Sequence, residues 1–438
     1  MVAEVRLSVV CAGLFAGQAR SHKLNVQLRA ERYLWERACP AKRPAQTTDN
    51  RTSATMAPCP TATSAEMSNP RPTLPELARF NQHFAECIVP LWQGPGWNAD
   101  MALPYEALDA QHQPLPVQRY RAMACARQLY LFSSRIGQPG AAERAAALFR
   151  SLQKHFHDAE HGGWFYSIDA QGKPLDRRKD LYTHAFIVFA CAHYWGKVRE
   201  NLVEATLNAA LDIIDQQFAR DDGLYEASLG EDWADLGSGP LQNPQMHLAE
   251  AFLQVLAVRD DEHARQSLLQ LCEALQAHFI EPAHGLMLEK PRGAVDNWFE
   301  PGHQFEWFYL LHTSPLLRDT PLHASIDRAF DYAEQYGVKD AAVLAMLDVD
   351  GKVLDATQRI WAQAEYLRAL VLRAGGEAKL AGQLQALDAR FLREAGWYEC
   401  RDGEGAVSRH DMPSTTPYHL ATCLEATLAH DSRGTGSC

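Results

Sequence analysis

The sequence predicts an all-α protein, a closed (α/α)6 barrel of six inner and six outer helices with short β-hairpins on one rim. Three observations carry that prediction. Apolar helices alternate with one-sided amphipathic helices along the chain. Turn-rich segments precede the apolar helices. Finally, a conspicuous polar group recurs in the apolar helices every 54 to 63 residues, at Arg127, His184, His247, Glu306, Glu365 and His419. That period exceeds the roughly 33 to 47 residues of common helical solenoid units and fits a helix pair plus a hairpin. Helices apolar all round are buried and one-faced helices cover them, so six of each close into a ring.

Residues 1–71 differ in kind from the rest of the chain. Leu7 to Gly17 is a short apolar run that faintly resembles a secretory signal, but Glu4 and a single Arg6 make a poor charged start. Pro40 to Pro72 is rich in Pro, Thr, Ser and Ala without periodicity, the composition of a disordered extension. Met56 and Met67 are both plausible starts. A catalytic domain is expected over 72–430, with a tail at 431–438.

Within that domain the first predicted helix runs from Leu74 to about Leu91, with Leu77, Phe80, Phe84 and Ile88 on one side. Helices over 117–136 and 141–156 follow, then a hairpin turning at Gln171-Gly172. The cycle repeats with an apolar helix over 180–198, an amphipathic one over 201–218 and the loop GLYEASLGEDWADLG. Next come helices from Gln245 and over 262–279, then the segment HGLMLEKPRGAVDNWFEPG. Helices starting at His303 and Leu322 precede a hairpin at Asp350-Gly351, a strong turn signal. The last cycle has helices over 358–373 and 379–394, the hairpin GWYECRDGEGAVSRH, and a helix from Thr416.

Composition narrows the partners. With 47% hydrophobic and 22% charged residues the chain has a globular core, and a net charge of −12 without a dense Lys/Arg run argues against nucleic acid or anionic membrane. A neutral small molecule suits it better. No apolar run reaches the roughly 18 residues of a membrane span. The ten cysteines contain no C-x-x-C, and Cys87, Cys125, Cys191, Cys272 and Cys423 sit in apolar helical patterns, a usage that reads as cytoplasmic.

The candidate chemistry lies in the apolar helices. In NPQMHLAEAF, His247 and Glu250 are three apart and share a helix face, and GHQFEWF repeats the spacing at His303 and Glu306. Any one buried histidine is most often structural; several at equivalent places in a repeat are not easily dismissed. Arg127 either ties neighbouring helices or binds oxygen atoms. Trp298 and Trp361 either fill the core or stack on sugar rings. Two neutral imidazoles flanking a carbon acid can deprotonate and reprotonate it, while an arginine and carboxylates stabilise the enediolate oxygens. Metal catalysis and glycoside hydrolysis are the competing readings; the chain has no H-E-x-x-H, and it has more histidines than hydrolysis by two carboxylates needs.

Taken together, ARQLYLF, DLYTHAF, NPQMHLAEAF, PGHQFEW, WAQAE and PYHL resemble the N-acylglucosamine 2-epimerase superfamily from about Pro72 to His430. The resemblance implies metal-independent proton transfer through a cis-enediolate, with no cofactor. His247 and His419 are implied as the acid/base pair and His184 as the histidine of ring opening. Arg127 is implied at the reacting oxygens, Glu250 and Glu306 as orienting and hydroxyl-binding groups. Trp298, His303, Trp361 and Glu365 are further substrate-binding candidates. The L-Y-x-H-A-F histidine favours isomerisation of D-mannose to D-fructose; the alternative is 2-epimerisation of an N-acyl sugar or of a disaccharide such as cellobiose. The expected partner is thus a mono- or disaccharide, and the expected assembly a monomer or homodimer.

Overall fold

A computed structural model of the chain describes residues 74–434. The extension expected over 1–71 and the last residues of the tail lie outside the described residues. Those described belong to one compact unit, Met67–Cys438.

Twelve helices longer than one turn are present among the described residues. Helix α1 runs Leu74–His83 and continues through a π turn, Phe84–Ile88, into Val89–Gln93. Ala122–Ser133 is α2, and Ala141–Ser151 with the π turn Leu152–Phe156 is α3. Leu181–Val198 is α4, and Asn201–Ile213 with the π turn Ile214–Phe218 is α5. Then come α6 (Gln242–Val258), α7 (Glu262–His278), α8 (Pro301–Thr313) and α9 (Pro321–Gly337). The last three are α10 (Ile360–Leu370), α11 (Glu377–Phe391) and α12 (Thr416–Gly434). Local chemistry sets several starts. Asp180, Asp261 and Thr320 cap α4, α7 and α9 by accepting from the backbone N–H three residues on, and proline opens α8 and α9.

The even-numbered helices pack against one another in the cyclic order α2, α4, α6, α8, α10, α12 and back to α2. Each also packs against an odd-numbered helix outside it, α2 on α3 and so on, with α1 against α12. Every residue of α2 is buried, whereas α9 buries seven of seventeen, recurring three and four residues apart, the stripe of a covering helix.

The short strands close the same circuit. Tyr120–Arg121, just before α2, pairs with Ser167–Ile168 of the next hairpin; Lys179–Asp180, before α4, pairs with Ser228–Leu229. Gln358–Arg359 pairs with Cys400–Arg401, and Met412–Pro413, before α12, returns to Ala107–Leu108, before α2. Strand pairing shortens several helices relative to expectation, taking Asp180 from the helix expected over 180–198 and Leu392–Arg393 from that over 379–394. Residues 117–121 and 358–359 were expected in helix, but Tyr120–Arg121 and Gln358–Arg359 are drawn into strands by the neighbouring hairpin. Helix α6 begins three residues before Gln245, and α12 continues past His430 to Gly434. No described helix is long and apolar enough to cross a membrane.

Candidate active site

Helix register explains which side chains meet. Arg127, His247, Glu306 and Glu365 are each the sixth residue of their inner helix, counted from the first residues of α2, α6, α8 and α10. His419 is likewise the sixth residue after the strand Met412–Pro413 that leads into α12. In α4 the sixth residue is Phe186, not His184. The intervals between the recurring polar groups therefore hide a slip of two residues at His184.

Two residues correspond to about 200° of helix rotation, so His184 faces away from the other candidates. Its Nδ1 lies 2.8 Å from the Asp180 carbonyl and its Nε2 accepts from the Trp164 N–H at 3.3 Å. Trp164, Trp233 and Phe218 of outer helix α5 surround the ring. Its register partners are Gln245, Gln304 and Gln363. All three clamp the preceding hairpin: Gln245 donates to the Tyr225 carbonyl, while Gln304 and Gln363 exchange two bonds each with Met287 and Val343. His184 occupies the same clamp position. The structure therefore does not bring His184, expected at ring opening, together with the other imidazoles, and burial holds its pKa down to about 4.

The remaining groups converge. His247 Nδ1 is 3.0 Å from Glu250 Oε2, and His419 Nδ1 is 2.7 Å from Glu365 Oε1. A carboxylate beside Nδ1 fixes the proton there, so each Nε2 carries the lone pair. Neither Nε2 has a hydrogen-bond partner among the described residues. Burial lowers the His247 pKa to about 4 and that of His419 well below its ordinary value, so both rings are neutral at pH 7.

Arg368 joins the two pairs. Its guanidinium lies 3.2 Å from Glu365 Oε2 and 3.5 Å from Glu250 Oε1, and the Tyr418 hydroxyl donates to Glu250 Oε2. Burial works against a charged Glu250, but the bond to His247 and the Arg368 charge outweigh it and hold the carboxyl low, at about 2. Glu306 contrasts with it. Both its oxygens are buried without a hydrogen-bond partner among the described residues, 4.0 Å from His247 Nδ1 at the nearest. Burial, then the charges of Glu365 and Glu250, push its pKa well above the ordinary carboxyl range, which favours its protonated form. Glu306 has an oxygen within 4.8 Å of donor atoms of His247 and Glu250, and one within 4.8 Å of donor atoms of Glu365 and His419, so it borders both pairs.

Arg127 donates to the Tyr182 hydroxyl at 2.7 Å and lies over the rings of Phe186 and Tyr418, at 4.2 and 4.9 Å. Phe186 and Tyr182 in turn pack on His247 at 4.6 and 4.9 Å. The other flank is ionic. His303 bonds Glu289 at 2.7 Å, and Arg359 reaches Glu300 at 3.3 Å. Burial opposes charge on His303, but Glu289 and Glu300 overcome it and lift the pKa to about 9. Trp361 lies between His303 and His419, at 5.2 and 5.6 Å. Gly302 permits this, because a Cβ there would come within 2.8 Å of the indole. Trp298 is not brought into contact with these rings; Lys290 covers it at 4.7 Å, on the loop before α8.

His247, Glu250 and Glu306, and likewise Glu306, Glu365 and His419, present donor atoms close enough for a metal ion. Arg127 and Arg368 set two guanidinium charges against the same groups, an environment that favours a developing anion. Sequence reasoning missed Arg368, Tyr418, Tyr182 and Phe186. Signals existed: Arg368 is one turn beyond Glu365, Tyr418 adjoins His419 in PYHL, and the other two lie in LYTHAF.

A sequence profile of the N-acylglucosamine 2-epimerase family matches residues 104–423. Among curated proteins, the mannose-6-phosphate isomerase of Rhizobium meliloti (strain 1021) is 28% identical over 371 residues, 77% of this chain and 93% of that protein. The D-mannose isomerase of Thermobifida fusca is 28% identical over 303 residues, 62% of this chain and 73% of its own. Among solved structures, cellobiose 2-epimerase from Bacillus thermoamylovorans B4167 superposes with a TM-score of 0.72 at 17% identity, covering 80% of this chain and 98% of that one. The likeness at that identity is one of fold. With the profile spanning well over half its length, the chain belongs to the N-acylglucosamine 2-epimerase family and is an isomerase or epimerase of it.

Proposed function

We propose that the chain interconverts D-mannose and D-fructose by metal-independent proton transfer on a cis-enediolate. The observation that carries the reading is the pair of neutral imidazoles, His247 and His419, each with Nδ1 tied to a buried carboxylate and Nε2 open, both bordering Glu306. One imidazole takes the proton from C2 of the open-chain aldose, and the electron pair forms the enediolate. The proton is then returned at C1, while a second proton moves from O2 to O1 and leaves the ketone at C2. Arg127 stabilises the enediolate charge, and the protonated Glu306 donates to a substrate oxygen. Arg368 holds Glu250 ionised and opposes the burial that raises the Glu365 carboxyl, and Trp361 offers an apolar face to the sugar. His303, Glu289 and Glu300 hold that indole in place.

The scaffold in this reading is the (α/α)6 barrel, supported by the cyclic packing of the inner helices and by the strand pairing between residues 107–108 and 412–413. A cytoplasmic setting accords with the buried free thiols Cys125, Cys191, Cys272 and Cys423.

Epimerisation at C2 is the second reading, favoured by one specific feature: two opposed bases suit return of the proton to the other face of the same carbon. Proton NMR in heavy water tests both, with mannose, mannose 6-phosphate, N-acetylmannosamine and cellobiose, each with and without EDTA. The expected result is deuterium incorporation with fructose formed from mannose, unchanged by chelator. Deuterium at C2 with a 2-epimer and no ketose selects the second reading. No exchange with any of these sugars refutes both.

A further inference from the structure

A second constellation lies where α8 ends and α9 begins. His312 is six residues beyond Glu306 on α8, about 9 Å along the helix axis from the proposed sugar site. His323 and Asp327 stand one turn apart on α9 and face it. His312 Nε2 is 3.2 Å from Asp327 Oδ1, and His323 Nδ1 is 3.4 Å from Asp327 Oδ2. The donor atoms of all three lie within 4.8 Å of one another.

These separations have a geometric meaning. Ligand atoms about 2.0 to 2.1 Å from a tetrahedral zinc ion stand about 3.3 to 3.4 Å apart, the edge of the tetrahedron. The two contacts fall on different Asp327 oxygens, so one oxygen ligates the ion while the imidazole rings, 4.0 Å apart, open by about 1 Å to reach that geometry.

The ring of His312 is already oriented as a ligand. Its Nδ1 donates to the Phe308 carbonyl at 2.8 Å, which fixes the proton on Nδ1 and aims Nε2 at Asp327. A backbone carbonyl behind a metal-bound imidazole is the usual supporting contact. Phe308 stacks on one face of the ring at 3.8 Å and His323 packs on the other at 4.0 Å. A single divalent ion satisfies both imidazoles and the carboxylate together.

We propose that His312, His323 and Asp327 bind a divalent transition-metal cation of the zinc type, with water in the fourth position, stapling the turn between α8 and α9. Arg373 works against it, with its guanidinium 3.5 Å from Asp327 Oδ1. The same guanidinium also pairs with Asp331, to which it can withdraw. A cation at this place does not depend on what sugar the chain turns over.

The test uses the full chain, stripped with chelator and titrated with Co(II), whose visible spectrum reports tetrahedral coordination. The expected result is one tetrahedral Co(II) per chain in the wild type and none in the His312→Ala/His323→Ala variant, with sugar turnover retained. Zn(II) raises the Tm of the wild type but not of the variant, and Arg373→Gln tightens Co(II) binding at least several-fold. If the double variant fails to fold, Asp327→Asn, which keeps the side-chain shape, decides the matter in its place. Absence of tetrahedral cobalt in the wild type, or equal uptake by wild type and folded variant, overturns the proposal.

Discussion

Arg368 is the most informative residue to remove. It is the guanidinium that touches both carboxylates holding the two imidazoles, at 3.2 Å from Glu365 and 3.5 Å from Glu250. Each contact has a gross Coulomb energy of about 5 kcal/mol at an effective dielectric near 20. Burying the charges cancels much of that, and stripping one partner from a buried pair costs about 3 to 5 kcal/mol. The Arg368→Met protein is therefore less stable by that order. Burial already raises the Glu365 carboxyl, and losing the adjacent cation raises it further, whereas Glu250 starts from about 2 and stays ionised at pH 7. A protonated Glu365 no longer supports His419 as a base. The acid limb of the kcat profile accordingly moves to higher pH, and kcat at pH 7 falls by about 10²-fold or more, the scale of a lost acid–base contribution. KM changes little, because Arg368 lies behind the carboxylates. Arg368→Lys retains the charge but not the two-pronged reach, and recovers only part of the rate. The assay is a pH series of mannose turnover, with thermal denaturation of the same samples. A folded Arg368→Met protein with wild-type kcat and an unmoved acid limb would refute the reasoning.

The geometry implies three further outcomes. Replacing His247 or His419 by Ala lowers kcat by about 10² to 10⁴-fold, whereas His184→Gln, which restores the clamp found in the neighbouring repeats, retains most of it; solvent exchange at C2 measures all three. Gly302→Ala drives a methyl group to 2.8 Å from Trp361 and costs about 1 to 3 kcal/mol, read as a lower Tm and a higher KM, with Trp361→Phe relieving part of the loss. Stability also responds to pH through His303. Its folded pKa, about 9, exceeds an unfolded value near 6.5, so its contribution of about 3 kcal/mol is complete below pH 6.5 and disappears as pH rises through 9. Buried neutral His247 works in the opposite sense, its share present above pH 6.5 and lost as pH falls through about 4. Urea denaturation across pH 4 to 10, repeated with His303→Gln, checks the alkaline arm.

Much of the site was legible along the chain because helices have a fixed period. His247 with Glu250, and His303 with Glu306, share faces by spacing alone, and the alternation of apolar with amphipathic helices identified which six pack on one another. The slip at His184 shows where the chain misleads. An interval between conspicuous residues locates a repeat only to within a turn, and a shift of two reverses the direction of a side chain. Arg368 escaped notice because a lone arginine on a helix is ordinarily a solvated group; only the approach of α6 to α10 gives it two buried carboxylates.

The amino-acid order by itself determined the helical class, the repeat and the family, since all three depend on local periodicity and on short motifs. Tertiary structure alone decided which nitrogen of each imidazole is open, which carboxyl is held low and which is pushed up, and which histidine occupies the clamp position. Those properties depend on burial and on charges brought within a few ångströms by helices remote in sequence, and no local pattern encodes them.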